Sequence, residues 1–180
     1  MIIHPPAPCR NLELKARCHD LDLTRRLVVA LGARFLAIES QTDTFFQVRS
    51  GRLKLRQLDD AAVLVAYHRD DAIEIRPSDY YLIPVADPAA LCAALAATLG
   101  IRAIVKKQRE IHLYHNVRIH LDRVEQLGDF VELEAVLDPN HSEDVSTARL
   151  LLDEIAVTLG IVTADHVASA YVDLLPKGAM

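Results

Sequence analysis

The chain has 180 residues, 51% apolar and 25% charged, which is enough for one domain with a sizeable buried core. A formal net charge of -5 and a pI of about 5.9 exclude the broad basic field that draws proteins to nucleic acid or to an anionic membrane, so neither partner is expected. Charges interrupt every apolar stretch too early for a bilayer span, and the first residues carry no basic segment followed by an apolar run, so a cytoplasmic location is expected.

A short proline-rich lead, residues 1–8, precedes what reads as a single domain over 9–180. Arg10 to Cys18 alternates strictly, with Asn11, Glu13, Lys15 and Arg17 on one face and Leu12, Leu14, Ala16 and Cys18 on the other, which predicts a strand with one polar face. Leu21 to Leu31 has helical spacing, acidic caps at Asp20 and Asp22, and a stop at Gly32. Three strands are predicted next, over Gln41–Arg49, Arg52–Gln57 and Ala62–Arg69, with turns at Ser50-Gly51 and Asp59-Asp60. Ser78 to Val85 reads as a further strand, and Pro84 marks it as an edge or an end. Asp87-Pro88 opens a helix that Gly100 closes. Three strands fill Ile104 to Leu137, separated by turns at His115-Asn116 and Gly128-Asp129. Two helices are expected at the end, over Glu143–Leu159 and Asp165–Leu175.

This order gives an α+β chain dominated by antiparallel hairpins, and closing the strands into a barrel removes their exposed edges. Small barrels fill their interior with apolar side chains. Here charged residues recur at spacings of two: Arg52, Lys54 and Arg56; Lys107 and Arg109; Arg118, His120 and Asp122; Glu132 and Glu134. A single such pair is best read as a solvated strand face. Repetition across most strands favours a polar lumen, whose guanidinium and ammonium groups suit phosphate oxygens and whose carboxylates suit a hard divalent ion. So many enclosed cations are expected to repel one another unless a polyanion lies between them.

At these residues the chain resembles the CYTH superfamily, the triphosphate tunnel metalloenzymes. Asn11-Leu12-Glu13-Leu14-Lys15 resembles the family's ExExK signature. Further matches run through Gln41 to Phe46, Leu53 to Arg56, Val105 to Arg109, Val117 to Asp122, Gly128 to Glu134 and Ser169 to Tyr171, closest to the class IV adenylate cyclase-like branch. The resemblance implies an eight-stranded antiparallel barrel with flanking helices, and an enzyme that uses Mg²⁺ or Mn²⁺. The implied substrate is ATP, thiamine triphosphate or tripolyphosphate, converted by cyclisation or by hydrolysis; a dimer is implied as well. It assigns metal binding to Glu13, Asp122, Glu132 and Glu134, and phosphate contacts to Lys15, Arg17, Lys54, Arg56, Arg69, Arg76, Lys107, Arg109 and Arg118. Lys15 and Asp122 would be catalytic, and Ser78 is a weaker phosphate candidate. One departure stands out: Asn11 replaces the first signature glutamate, which gives up a negative charge at the metal site.

Competing readings are bland. Cys9, Cys18 and Cys92 are too far apart for a zinc knuckle and odd in number for a disulfide framework. His112 and His115 would face opposite sides of a strand; His120 is as well explained by a structural hydrogen bond as by contact with phosphate. Tyr67, Tyr80 and Tyr171 read as packing residues before ligand contacts. A module that binds nucleotide or polyphosphate without turnover is the alternative to an enzyme, and Asn11 is its best support.

Overall fold

The computed structural model describes residues 8–69, 74–137 and 145–176. Eight strands carry the architecture: β1 (Cys9–Arg17), β2 (Arg34–Phe46), β3 (Arg52–Gln57), β4 (Ala62–Arg69), β5 (Arg76–Pro84), β6 (Ile101–Tyr114), β7 (Val117–Val124) and β8 (Gly128–Leu137). They close into a barrel in the order β1-β5-β4-β3-β2-β6-β7-β8, every neighbouring pair antiparallel. The helices α1 (Leu21–Ala30), α2 (Pro88–Leu99), α3 (Val145–Thr158) and the single turn α4 (Tyr171–Leu174) flank it.

The helix ends follow the local sequence. Asp20 caps α1 by accepting from the Leu23 amide at 2.8 Å, and Asp87 caps α2 by accepting from the Ala90 amide at 2.9 Å, with Pro88 in the first turn. Gly100 ends α2 at φ 80°, a left-handed position that a side chain would strain. Gly51 is required in its turn for the same reason, since at φ 68° an added Cβ would lie 2.8 Å from the Tyr67 carbonyl oxygen.

Most of the apolar core lies outside the barrel. Leu12, Leu14, Ile119, Leu121, Val131 and Leu133 point outward from β1, β7 and β8 and are covered by α1 and α3, where Leu152 and Ile155 are fully buried. Each such side chain contributes roughly 2 kcal/mol of burial. A second cluster, Phe46, Leu55 and Ala62, sits under α2. With the outer faces of β1, β7 and β8 covered by helices, the barrel is free to turn its other face, the charged one, inward. Among the described residues no helix is long and apolar enough to cross a membrane.

Several expected boundaries move. β2 begins at Arg34 rather than Gln41, because its first half pairs only with β6 and is bulged between Phe35 and Ala37, so its alternation is broken. β5 begins at Arg76, two residues before the expected Ser78, and places Pro77 opposite Leu12. Gly128-Asp129 is not a turn. The chain reverses at Glu125–Leu127, and Gly128 and Asp129 already pair with Val124 and Arg123. The last helix expected, Asp165–Leu175, is a 3-10 turn at Thr163–Asp165 followed by an extended stretch and α4. Its apolar residues form no continuous helix face; they plug the barrel end, where the amide of Val167 donates to the Lys15 carbonyl at 2.8 Å. The start of the preceding helix, expected at Glu143, falls outside the described residues.

Candidate active site

The barrel encloses a cavity of about 440 Å³. Alternation on β1 brings Asn11, Glu13 and Lys15 to its wall; β3 supplies Lys54 and Arg56, β6 Lys107 and Arg109, β7 Arg118 and His120, and β8 Glu132 and Glu134. Ala170 and Tyr171 of the C-terminal segment close one end. Ser78 also lines the cavity, and Arg76 lies 2% exposed behind it with Nη2 3.2 Å from Glu13 Oε1. Arg76 therefore does not line the cavity, and two further expected phosphate contacts are elsewhere or unseen. Arg17 is exposed at the barrel end, its guanidinium over the Phe130 ring, because Phe130 fills the interior at that level. The backbone of Arg69 ends β4, and its side chain lies outside the described residues.

The cations do not stand free and repel one another; carboxylates are interleaved with them. Arg109 donates to Asp122 through Nε at 2.7 Å and Nη2 at 2.5 Å, and to Glu132 Oε2 at 2.6 Å. Lys107 adds a contact to Asp122 at 3.2 Å, and the Tyr171 hydroxyl donates to it at 2.9 Å. Asp122 is therefore fully buried and saturated by donors, and does not reach the cavity as the expected metal ligand or catalytic acid would. On the other flank Asp43 accepts from Lys54 at 2.7 Å and from Arg56 Nε and Nη2, both at 2.8 Å. Lys15 lies 3.5 Å from Glu132 Oε1 and 4.2 Å above the Tyr171 ring.

The titration of these groups follows from that interleaving. Burial alone would raise the carboxyls of Asp43, Asp122 and Glu132, yet their basic neighbours hold all three below the ordinary range. Burial, with Arg56 adding repulsion, pushes Lys54 down to about 8, and burial with Arg109 pushes Lys107 down to about 7. Burial lowers His120 and keeps its imidazole neutral; burial and the carboxylates of Asp122 and Glu132 raise the Tyr171 phenol well above 10.

Hard oxygen donors remain on β1 and β8. Glu13 stands directly opposite Glu134, and Asn11 donates through Nδ2 to Glu134 Oε1, while its Oδ1 is buried and without a hydrogen-bond partner. Among the described residues no three His, Cys, Asp or Glu converge as a protein-only cage. Two carboxylates and an amide oxygen do fit Mg²⁺ or Mn²⁺, which keep several waters and take further oxygens from a phosphate ligand.

The family model for the CYTH domain matches residues 10–171. The chain belongs to the CYTH domain family. Among solved structures, the PH1012 protein of Pyrococcus horikoshii OT3 superposes with a TM-score of 0.82 at 25% identity, covering 92% of this chain and 99% of that one. A protein of Vibrio parahaemolyticus proposed to be an adenylate cyclase gives 0.77 at 16% identity, covering 91% and 96%. The Hippeastrum protein HpAC1, proposed to be an adenylyl cyclase and described as having a dominant triphosphatase activity, gives 0.65 at 14% identity, covering 96% and 97%. The last two likenesses concern the fold. A search of the curated proteins by sequence finds no match.

Two residues of the site carried no assigned chemistry in the sequence. Asp43 lies within the Gln41 to Phe46 run, and a lone acid between Thr42 and Thr44 gives no hint that it faces two cations on the next strand. Tyr171 reads as a packing residue and does pack, edge-on to Phe130, but its hydroxyl and ring face also join Asp122 to Lys15 and Lys107.

Proposed function

We propose that this CYTH protein is an enzyme that cleaves a phosphoanhydride bond of a small triphosphate, with Mg²⁺ or Mn²⁺ held by Glu13, Glu134 and the amide oxygen of Asn11. One observation carries the reading: basic side chains from β1, β3, β6 and β7 converge on one enclosed cavity that also presents carboxylates as hard ligands. A monophosphate would leave most of those donors unused, whereas a triphosphate offers oxygens along the cavity's length. When bound there, a divalent ion would supply Lewis-acid polarisation of the phosphate chain and offset charge that develops on the leaving group.

The chain's own groups have separate tasks. Arg56 and Arg109, each fixed by a buried carboxylate, present guanidinium edges at defined positions, so little reorganisation accompanies charge development. Lys15, set between Glu132 and the Tyr171 ring, supplies a further ammonium near the closed end. Arg118 stands at the opposite, open end, with its side chain 45% exposed, and is suited to meeting the substrate first. The C-terminal plug keeps bulk water from one end. Hydrolysis of the terminal phosphate and attack of a ribose hydroxyl on the α-phosphorus would use the same groups with the chain of phosphates shifted along the cavity.

Incubation with ATP, thiamine triphosphate and tripolyphosphate under Mg²⁺ or Mn²⁺, followed by separation of phosphate, pyrophosphate and cyclic AMP, tests the proposal and assigns the reaction. Tight binding with no product from any of the three would replace the enzyme by a binding module.

A further inference from the structure

The strands on either side of β2 each carry a Lys-x-Arg run facing the cavity, and the two runs are anchored alike. On β6, Arg109 stands directly opposite Asp122 of β7, and Lys107, two residues earlier, reaches the same carboxylate. On β3, Arg56 stands directly opposite Asp43 of β2, and Lys54, two residues earlier, does likewise. The directly opposed and diagonal positions of an antiparallel pair are those from which side chains meet. Asp43 is 3% exposed, so this contact is enclosed.

We propose that Asp43 is a positioning residue of the phosphate site, holding Lys54 and Arg56 as one fixed and fully charged pair aimed at the substrate. The proposal rests on the reading of the cavity as a triphosphate site. An acid beside an anion site is otherwise hard to understand, since by charge alone it repels phosphate. What it offsets is the repulsion among its partners. Lys54 faces Arg56 on its own strand, Arg109 from β6 and Asp43 from β2, with the rings of Phe45 at 5.3 Å and Tyr67 at 5.8 Å completing its surroundings. Burial, then Arg56, brings its ammonium down to about 8, and Asp43 opposes that fall. Without the carboxylate, Lys54 loses its proton at lower pH and Arg56 loses the two hydrogen bonds that fix its plane.

Two measurements test this on the metal-free protein. The first follows the Lys54 side chain by NMR through a pH titration, in the parent and in Asp43→Asn. The second measures binding of inorganic tripolyphosphate by calorimetry, with chelator present, from neutral to alkaline pH. Asp43→Asn is expected to move the Lys54 titration to lower pH and to weaken tripolyphosphate by roughly tenfold or more at neutral pH. The alkaline loss of affinity should also begin earlier, and Asp43→Asn should no longer shift that limb in a Lys54→Met background. An unmoved Lys54 titration, or tripolyphosphate binding as tight as or tighter than the parent's, overturns the proposal; the latter is what a carboxylate acting only by repulsion predicts. Should Asp43→Asn fail to fold, the single variant Lys54→Met decides: Lys107 contributes a limb of its own, lower, near 7, so an alkaline limb that Lys54→Met leaves unchanged overturns the assignment. If the parent binds tripolyphosphate at no pH, the triphosphate reading fails, and the NMR titration still reports separately on Asp43 and Lys54.

Discussion

Arg109→Met is the sharpest probe of how the cavity is held together. Arg109 is 6% exposed and bonds two carboxylates at once, Asp122 through Nε and Nη2 and Glu132 through Nη2. Methionine keeps much of the volume and removes the charge, so the cost is electrostatic. Breaking a buried pair by deleting one partner costs about 3–5 kcal/mol, because the remaining charge stays desolvated. Lys107 and Tyr171 still reach Asp122, and Lys15 still reaches Glu132, which favours the lower half of that range. The pH dependence has a definite sign. In the parent both carboxyls are held below their ordinary values, so they contribute stability above the unfolded range and lose it only as the pH falls through their folded values. Without Arg109, burial is expected to raise both, so protonation on acidification relieves the variant and not the parent. Urea denaturation of both proteins at about pH 7 and about pH 5 should show a difference near 3 kcal/mol that shrinks at the lower pH. A difference below about 1 kcal/mol, or one that grows on acidification, would refute the account of Arg109 as the shared counter-ion.

Glu134→Gln should abolish metal-dependent turnover while changing stability by less than about 1 kcal/mol, since its partner Arg118 is half exposed; retention of the parent rate at limiting Mg²⁺ would remove Glu134 from the metal site. Glu132→Gln should instead also cost about 2 kcal/mol in urea denaturation, because Glu132 is a counter-ion of Arg109 and Lys15. Arg56→Ala should weaken tripolyphosphate by a larger factor than monophosphate in calorimetry; equal losses would indicate a general charge effect and no succession of phosphate contacts.

How far the sequence speaks depends on how directly an interaction is written in local spacing. Period-two alternation over Asn11 to Arg17 and Glu132 to Glu134 displays the inward face of a strand, so Glu13, Lys15, Glu132 and Glu134 were legible, as was a barrel with a charged interior. The caps Asp20 and Asp87 act within one turn and were equally plain. Pairings across strands are not local. Nothing in the spacing of Asp122 from Arg118 distinguishes an acid that faces the cavity from one consumed by Arg109, Lys107 and Tyr171, and Asp43 is invisible until β2 is laid beside β3. Arg17 obeys the alternation of β1, but alternation says nothing of where the barrel ends, and Phe130 ends it there. The first half of β2 and the C-terminal plug share another cause. A bulge and a one-turn helix have no period to detect, and tertiary contacts alone define them.

Asn11→Glu restores the acidic residue of the signature that Asn11 departs from and tests what the amide does. Asn11 is 2% exposed, lies two residues from Glu13 on the same face, and donates to Glu134. A glutamate there loses that donor and brings a third carboxylate beside Glu13 and Glu134, with like-charge repulsion in an enclosed space. In chelator the variant should therefore be less stable by about 3 kcal/mol, the scale for an uncompensated buried charge. A divalent ion reverses the sign, because three carboxylates bind it more tightly than two and an amide. An ion present at a hundred times its dissociation constant contributes about 2.7 kcal/mol to the folded state, enough to cancel most of the deficit. Thermal melts of parent and variant across a Mn²⁺ titration should thus cross or converge, with the variant below the parent in chelator and its rise steeper with added metal. A uniform deficit at every Mn²⁺ concentration would mean that position 11 shapes the wall without serving the ion. Coincident melts throughout would go further, because they would show that the side chain on β1 does not share the space of Glu13 and Glu134 at all.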